Sequence, residues 1–192
     1  MDTQKIKEIL ENDGVIAFVT DTVWGLGCLP NSEKAVEKIY EIKHRDAKKP
    51  LILMSDDVKN LMKYVKPLPE KANELIKKHF PGALTLVVEK STETQDYITS
   101  GMQTVGIRVP NNKIFAEICK SIDGHVLATT SANLSGFPPA LTYEQAVEYI
   151  SDKVDMVVED YGEKAQGHAS TVVGILPNGI KVFRQGDVVV EV

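Results

Sequence analysis

Residues 32–54 read SEKAVEKIYEIKHRDAKKPLILM. Ser32 is suited to cap a helix, because a Ser hydroxyl accepts from an N–H left free in the first turn. Val36, Ile39 and Tyr40 recur at helical spacing, and Lys43 continues that apolar stripe. Lys43 is therefore expected to point toward the protein body. PLILM then reads as a short strand entering the core. The stretch is thus a helix over 32–43, a basic loop, and a strand over 50–54.

The same alternation runs outward in both directions. Strand-like runs lie at 14–19 (GVIAFV), 84–88 (LTLVV), 105–109 (VGIRV), 126–130 (VLATT), 154–158 (VDMVV), 170–176 (STVVGIL) and 180–184 (IKVFR). Amphipathic segments lie at 3–12, 56–63, 70–79, 112–122 and 142–150. Such a pattern predicts an α/β fold, a mixed sheet with flanking helices. PNG between the last two strands signals a hairpin, so at least one edge is expected to be antiparallel. A length of 192 residues with no internal repeat or Gly/Ser-rich linker predicts one domain over 1–192.

Composition narrows the function. The chain is 43% hydrophobic and 26% charged, as in ordinary soluble globular proteins. The polar start MDTQKIKE has no apolar run behind it, so no leader is expected, and no apolar run is long enough to span a bilayer. Cys28 and Cys119 are far apart and fit no metal spacing, which points to a reducing cytoplasm. The formal net charge of −5 argues against broad binding to nucleic acid, so any polyanion site must be local.

Lys43, Arg45 and Lys49 form such a local site. They read either as a cradle for a multiply charged anion such as a triphosphate, or as cations serving a helix C-terminus and snorkelling from its stripe. In TVGIRV (104–109), alternation sets Thr104, Gly106 and Arg108 on one face. An Arg inside a strand needs a carboxylate, from the protein or from a ligand. In ATTSANLSG (128–136), Thr129 and Ser131 share a face at a strand end, and Asn133 and Gly136 turn the chain. That is the furniture of an α/β ligand crevice, although turn chemistry alone would also use it. VTDTVWGLG (19–27) ends a strand in small polar residues before the sole Trp; its G-L-G is not a dinucleotide fingerprint. Its glycines read as places of close backbone approach. There is no phosphate-binding P-loop, no nucleophile elbow, no HExxH and no dense His/Cys/Asp cluster.

Taken together, these segments resemble the YrdC-like proteins, the threonylcarbamoyl-AMP synthases. TDTVWGLG resembles the family's opening motif, and Lys43-x-Arg45 followed by Lys49-Pro50-Leu51 resembles its KxR segment. Thr104-Val-Gly-Ile-Arg108, Ser131-x-Asn133 with Leu134, Ser135 and Gly136, Ser170-Thr-Val, and Arg184 before Gln-Gly follow in order. The resemblance runs from about residue 5 to residue 187.

It implies a twisted mixed parallel/antiparallel sheet flanked by helices around a basic central cavity. It also implies a nucleotidyltransferase that makes threonylcarbamoyl-AMP and pyrophosphate from L-threonine, bicarbonate and ATP. The product would pass to tRNA threonylcarbamoyl-transfer proteins for N6-threonylcarbamoyladenosine (t6A). Lys43 and Arg45 would be catalytic. Lys43, Arg45, Lys49, Thr104, Ser131, Asn133 and Arg184 would bind ATP, and Thr22, Arg108, Thr129 and Ser170 would bind threonine. Mg2+ would arrive with ATP, without a dedicated protein cage. Weak contact with tRNA or other RNA stays open, as do an RNA-binding or ribosome-maturation module and an enzyme handling a different carbamoyl adenylate. The chain departs from the family pattern at Trp24 (usually Tyr), Asp46 (Pro), Met54 (His) and Pro139 (Ser in some members), and it ends soon after Arg184, as in a short single-domain type. The polar segment 159–169 reads either as a lid or as a surface loop.

Overall fold

The helix expected after Ser32 is capped as its position predicts: Ser32 Oγ accepts from the Ala35 N–H at 3.1 Å. It is one of a series seen in a computed structural model, which describes residues 1–44, 49–134 and 136–191. In chain order these run α1 (Thr3–Glu11), β1 (Ile16–Phe18), β2 (Gly25–Cys28), α2 (Glu33–Lys43), β3 (Ile52–Ser55), α3 (Val58–Leu61), α4 (Glu70–His79), β4 (Leu84–Glu89), α5 (Asp96–Thr99), β5 (Thr104–Arg108), α6 (Lys113–Ser121), β6 (Val126–Ser131), α7 (Tyr143–Ile150), β7 (Met156–Val157), β8 (Thr171–Leu176) and β9 (Gly179–Arg184).

The strands form one sheet in the order β7-β1-β2-β6-β3-β5-β4-β8-β9. It is mixed, as expected. The β1–β7, β3–β5 and β4–β8 pairs are parallel, and β1–β2, β2–β6, β3–β6, β4–β5 and β8–β9 are antiparallel. The PNG turn closes the β8–β9 hairpin, with Leu176 opposite Gly179. Gly179 has φ 127°, a left-handed value that a side chain would strain.

Strand β2 was not expected, because its two glycines read only as places of close backbone approach. Both glycines are strand residues for a packing reason. A Cβ on Gly25 would lie 2.9 Å from the Phe18 ring, and one on Gly27 would lie 2.8 Å from it. Phe18 of β1 thus lies over the adjacent strand where no side chain opposes it, and its far side meets Phe115 of α6 with ring centroids 5.1 Å apart. Short α5 was likewise not anticipated. One apolar cluster extends from Ile6 to Val190, with α1 packed on α6. Among the described residues, no helix is long and apolar enough to cross a membrane.

Candidate functional site

Alternation along the strands sets one face of the sheet beneath a cavity of about 390 Å³. Ile52 and Met54 of β3, Thr129 and Ser131 of β6, Arg108 of β5, Thr85 of β4 and Val172 of β8 all line it. Gly106 lies two residues before Arg108, and its missing side chain makes room: a Cβ there would sit 2.6 Å from Ile52 Cγ2. The turn after β1 contributes Thr20, Thr22 and Val23, and Arg184 enters from β9.

Arg108 is 4% exposed, and each of its three guanidinium nitrogens has a partner within the protein. Its Nε donates to the Gly82 carbonyl at 3.0 Å, one Nη donates to Thr22 Oγ1 at 2.9 Å, and the other forms an ion pair with Asp21. Burial pulls its pKa below the ordinary value, Asp21 pulls it back up, and nearby Arg184 adds to the downward push. Arg184 donates from Nε to the Ser170 carbonyl at 2.9 Å and from Nη2 to Ser170 Oγ at 3.1 Å. Ser170 Oγ also bonds Thr85 Oγ1 at 2.8 Å. Two arginines and a row of hydroxyls therefore share this wall.

The second group is the corner after β6. Lys43 is buried, as its place in the α2 stripe predicts, and its Nζ donates to the Ser131 carbonyl and to Asn133 Oδ1 at 2.7 Å. Ser131 Oγ donates to the same Asn133 oxygen at 2.6 Å, and Asn133 Nδ2 donates to the Phe137 carbonyl at 2.6 Å. The lysine ammonium thereby fixes the shape of the turn that carries Ser131 and Asn133 into the cavity wall.

Of the expected site residues, Thr22, Arg108, Thr129, Ser131, Asn133, Ser170 and Arg184 line this cavity, and Lys43 stands directly behind two of them. Lys49 is exposed and outside the lining, with its carbonyl accepting from Tyr40 OH at 2.8 Å. Thr104, like Lys49, is not among the lining residues. It pairs with Glu89 at the far end of β5 from Arg108, and five residues of strand carry it away from the cavity. Arg45, Asp46 and Ser135 lie outside the described residues.

Asp21 was missed, since its partner is 87 residues away in sequence; its only signal was a carboxylate among small polar residues at a strand end. Met54, Pro139 and Trp24, three of the departures noted in the sequence, are all in the cavity wall. Among the described residues, Trp24 Nε1 is the buried side-chain polar atom with no hydrogen-bond partner. Such an orphan costs about 1–3 kcal/mol. Segment 159–169 is joined to the turn after β1 by Gln166 N–H to the Asp21 carbonyl at 3.2 Å and Gly167 N–H to the Thr22 carbonyl at 2.8 Å. The described residues contain no group of three or more His, Cys, Asp or Glu placed to hold a metal ion.

Comparison with known proteins identifies relatives. Residues 8–186 match the Sua5–YciO–YrdC family model, described as "Telomere recombination". The chain is 34% identical over 173 residues to a threonylcarbamoyl-AMP synthase of Idiomarina loihiensis, covering 89% of this chain and 91% of that protein. It is 35% identical over 184 residues to a threonylcarbamoyl-AMP synthase of Bacillus subtilis, covering 95% of this chain and 53% of that protein. A structure of P. abyssi Sua5 complexed with L-threonine superposes with a TM-score of 0.88 at 32% identity, covering 97% of this chain and 55% of that one. The chain thus spans about half the length of the latter two relatives.

Proposed function

The chain belongs to the Sua5–YciO–YrdC family, and from that premise we propose that it is a threonylcarbamoyl-AMP synthase. It forms threonylcarbamoyl-AMP and pyrophosphate from L-threonine, bicarbonate and MgATP, for t6A modification of tRNA. The observation that carries this reading is the meeting, in one cavity, of a buried Arg–hydroxyl wall and a Lys-braced Ser–Asn corner.

The chemistry suits such a site. The threonine amine adds to bicarbonate with loss of water, giving a carbamate. A carbamate oxygen attacks the α-phosphorus of ATP, and pyrophosphate leaves. Positioning and charge neutralisation supply most of the acceleration in steps of this kind. Arg108 and Arg184, with Thr22, Thr129 and Ser170, hold the amino acid, whose carboxylate takes the place of Asp21 on Arg108 Nη2. Ser131 and Asn133, shaped by Lys43, hold the nucleotide, and Arg45 and Lys49 are assigned to its phosphates by the family resemblance. Mg2+ enters as part of the MgATP substrate. The product passes to the proteins that transfer the group to tRNA.

Pyrophosphate release is the test, measured with bicarbonate and MgATP, with and without L-threonine, on wild type and on Arg45→Ala. Threonine-dependent release that falls in the variant supports the reading. Wild type that binds ATP but releases pyrophosphate regardless of threonine refutes it.

A further inference from the structure

Thr85 is the one polar residue in the strand run LTLVV, and it is 1% exposed. A Val would fill the same space without a hydroxyl that has to be satisfied. Among the described residues, Thr85 Oγ1 has Ser170 Oγ as its one partner, at 2.8 Å. The Thr85 proton therefore goes to Ser170, since it has no other acceptor in reach.

Ser170 in turn seats Arg184. Its Oγ accepts from Arg184 Nη2 at 3.1 Å, and its carbonyl accepts from Arg184 Nε at 2.9 Å. Arg184 needs such a seat. It stands on β9, at the edge of the sheet, and it is exposed. An exposed arginine samples many rotamers, and the two bonds to Ser170 select one.

Strand pairing sets these side chains in a row. Thr85 of β4 faces Val172 of β8, and Val172 faces Arg184 of β9. The β8–β9 register shifts there by one residue: Val173 faces Val182, so Arg184 rather than Phe183 comes opposite Val172. A shift of this kind re-aims a side chain. Thr85, Ser170, Val172 and Arg184 all line the cavity. Arg184 is also near enough to Arg108 to depress its pKa. Among the described residues, Arg184 Nη1 has no hydrogen-bond partner. The guanidinium is thus seated through Nε and Nη2 and keeps Nη1 to offer.

Resting on the synthase reading, we propose that Thr85 is a positioning residue for Arg184. It holds the Ser170 hydroxyl where that hydroxyl seats the guanidinium, and so aims Arg184 at the carboxylate of bound L-threonine. Thr85 itself touches no substrate.

The experiment measures binding by calorimetry, with L-threonine and, separately, with a non-hydrolysable ATP analogue. The proteins are wild type, Thr85→Val, Thr85→Ala and Thr85→Ser. Val and Ala both remove the hydroxyl, so either one decides the test if the other does not fold. Each should bind L-threonine about three- to tenfold more weakly, the loss of roughly one hydrogen bond. Affinity for the ATP analogue should stay within about twofold of wild type. Thr85→Ser keeps the hydroxyl and should recover wild-type threonine affinity. In an Arg184→Lys background the seat is already lost, so adding Thr85→Val should change threonine affinity by less than about twofold.

Wild-type threonine affinity in Thr85→Val and Thr85→Ala overturns the proposal. So does equal weakening of both ligands, which marks a merely structural role, and so does weakening of the ATP analogue alone. Failure of Thr85→Ser to rescue, or a full effect of Thr85→Val in the Arg184→Lys background, also overturns it. All these outcomes leave the synthase reading standing while wild type releases pyrophosphate in a threonine-dependent way. Wild type that binds no L-threonine sinks both.

Discussion

Asp21→Ala strips the buried Arg108 of its carboxylate. The two side chains are 5% and 12% exposed, so little solvent screens the pair. Removing one member of a buried ion pair costs about 3–5 kcal/mol. Arg108 keeps its bonds to Thr22 and Gly82, and it lines a cavity that can admit water. The lower end, about 3 kcal/mol, is therefore expected. For a chain of 192 residues this is a fall in Tm of roughly 6–12 °C. Urea unfolding of wild type, Asp21→Ala, Arg108→Met and the double variant closes a thermodynamic cycle. The double variant should recover most of the loss, with a coupling above about 1 kcal/mol. L-Threonine should stabilise Asp21→Ala more than it stabilises wild type, because its carboxylate finds the Arg108 Nη2 already free of Asp21. Single variants that add within about 0.5 kcal/mol would refute the reasoning, as would equal threonine stabilisation of both proteins.

Three further outcomes are expected. Asp155 is pushed up by burial, but its bonds from Lys38 at 2.5 Å and the Val15 N–H at 2.8 Å hold it below its ordinary value of 3.8. A depressed folded pKa means that its contribution is complete above 3.8 and is lost as pH falls through the lower folded value. Acid unfolding of Asp155→Asn should therefore be less steep than that of wild type in this window. Burial pushes the Cys28 thiol up to about 12, and Cys119 is also raised well above its usual value, so a thiol reagent at neutral pH should label neither until the chain is unfolded. Gly106→Ala drives a methyl into Ile52, and it should cost about 1–3 kcal/mol in urea unfolding and weaken ligand binding.

Features that depend on near neighbours in sequence were legible there. The cap at Ser32, the inward Lys43 and the PNG hairpin all follow from local spacing. Thr22, Arg108, Thr129, Ser131, Asn133, Ser170 and Arg184 of the lining were also assigned to the site, Ser170 and Arg184 only through the family resemblance. What was hidden depends on long-range pairing. Gly25 and Gly27 read only as places of close backbone approach until Phe18 is seen lying over them. Asp21 became meaningful only when β1 and β5 brought it to Arg108. Thr104 and Arg108 share a face of β5 but stand at its two ends, which only the register with β4 makes plain.

The strand order also has a consequence for synthesis of the chain. Gly25 pairs with Ser131 and Leu84 with Thr171, and the cavity draws its walls from Thr20 through Arg184. A chain emerging from the ribosome can form early helices, but it cannot assemble this cavity until nearly all of it is out. Pairings this distant slow folding and leave sheet edges open in the meantime. Products of prematurely terminated translation should carry no partial activity and should depend on chaperones or be cleared. The cavity thus forms only after synthesis has passed Arg184.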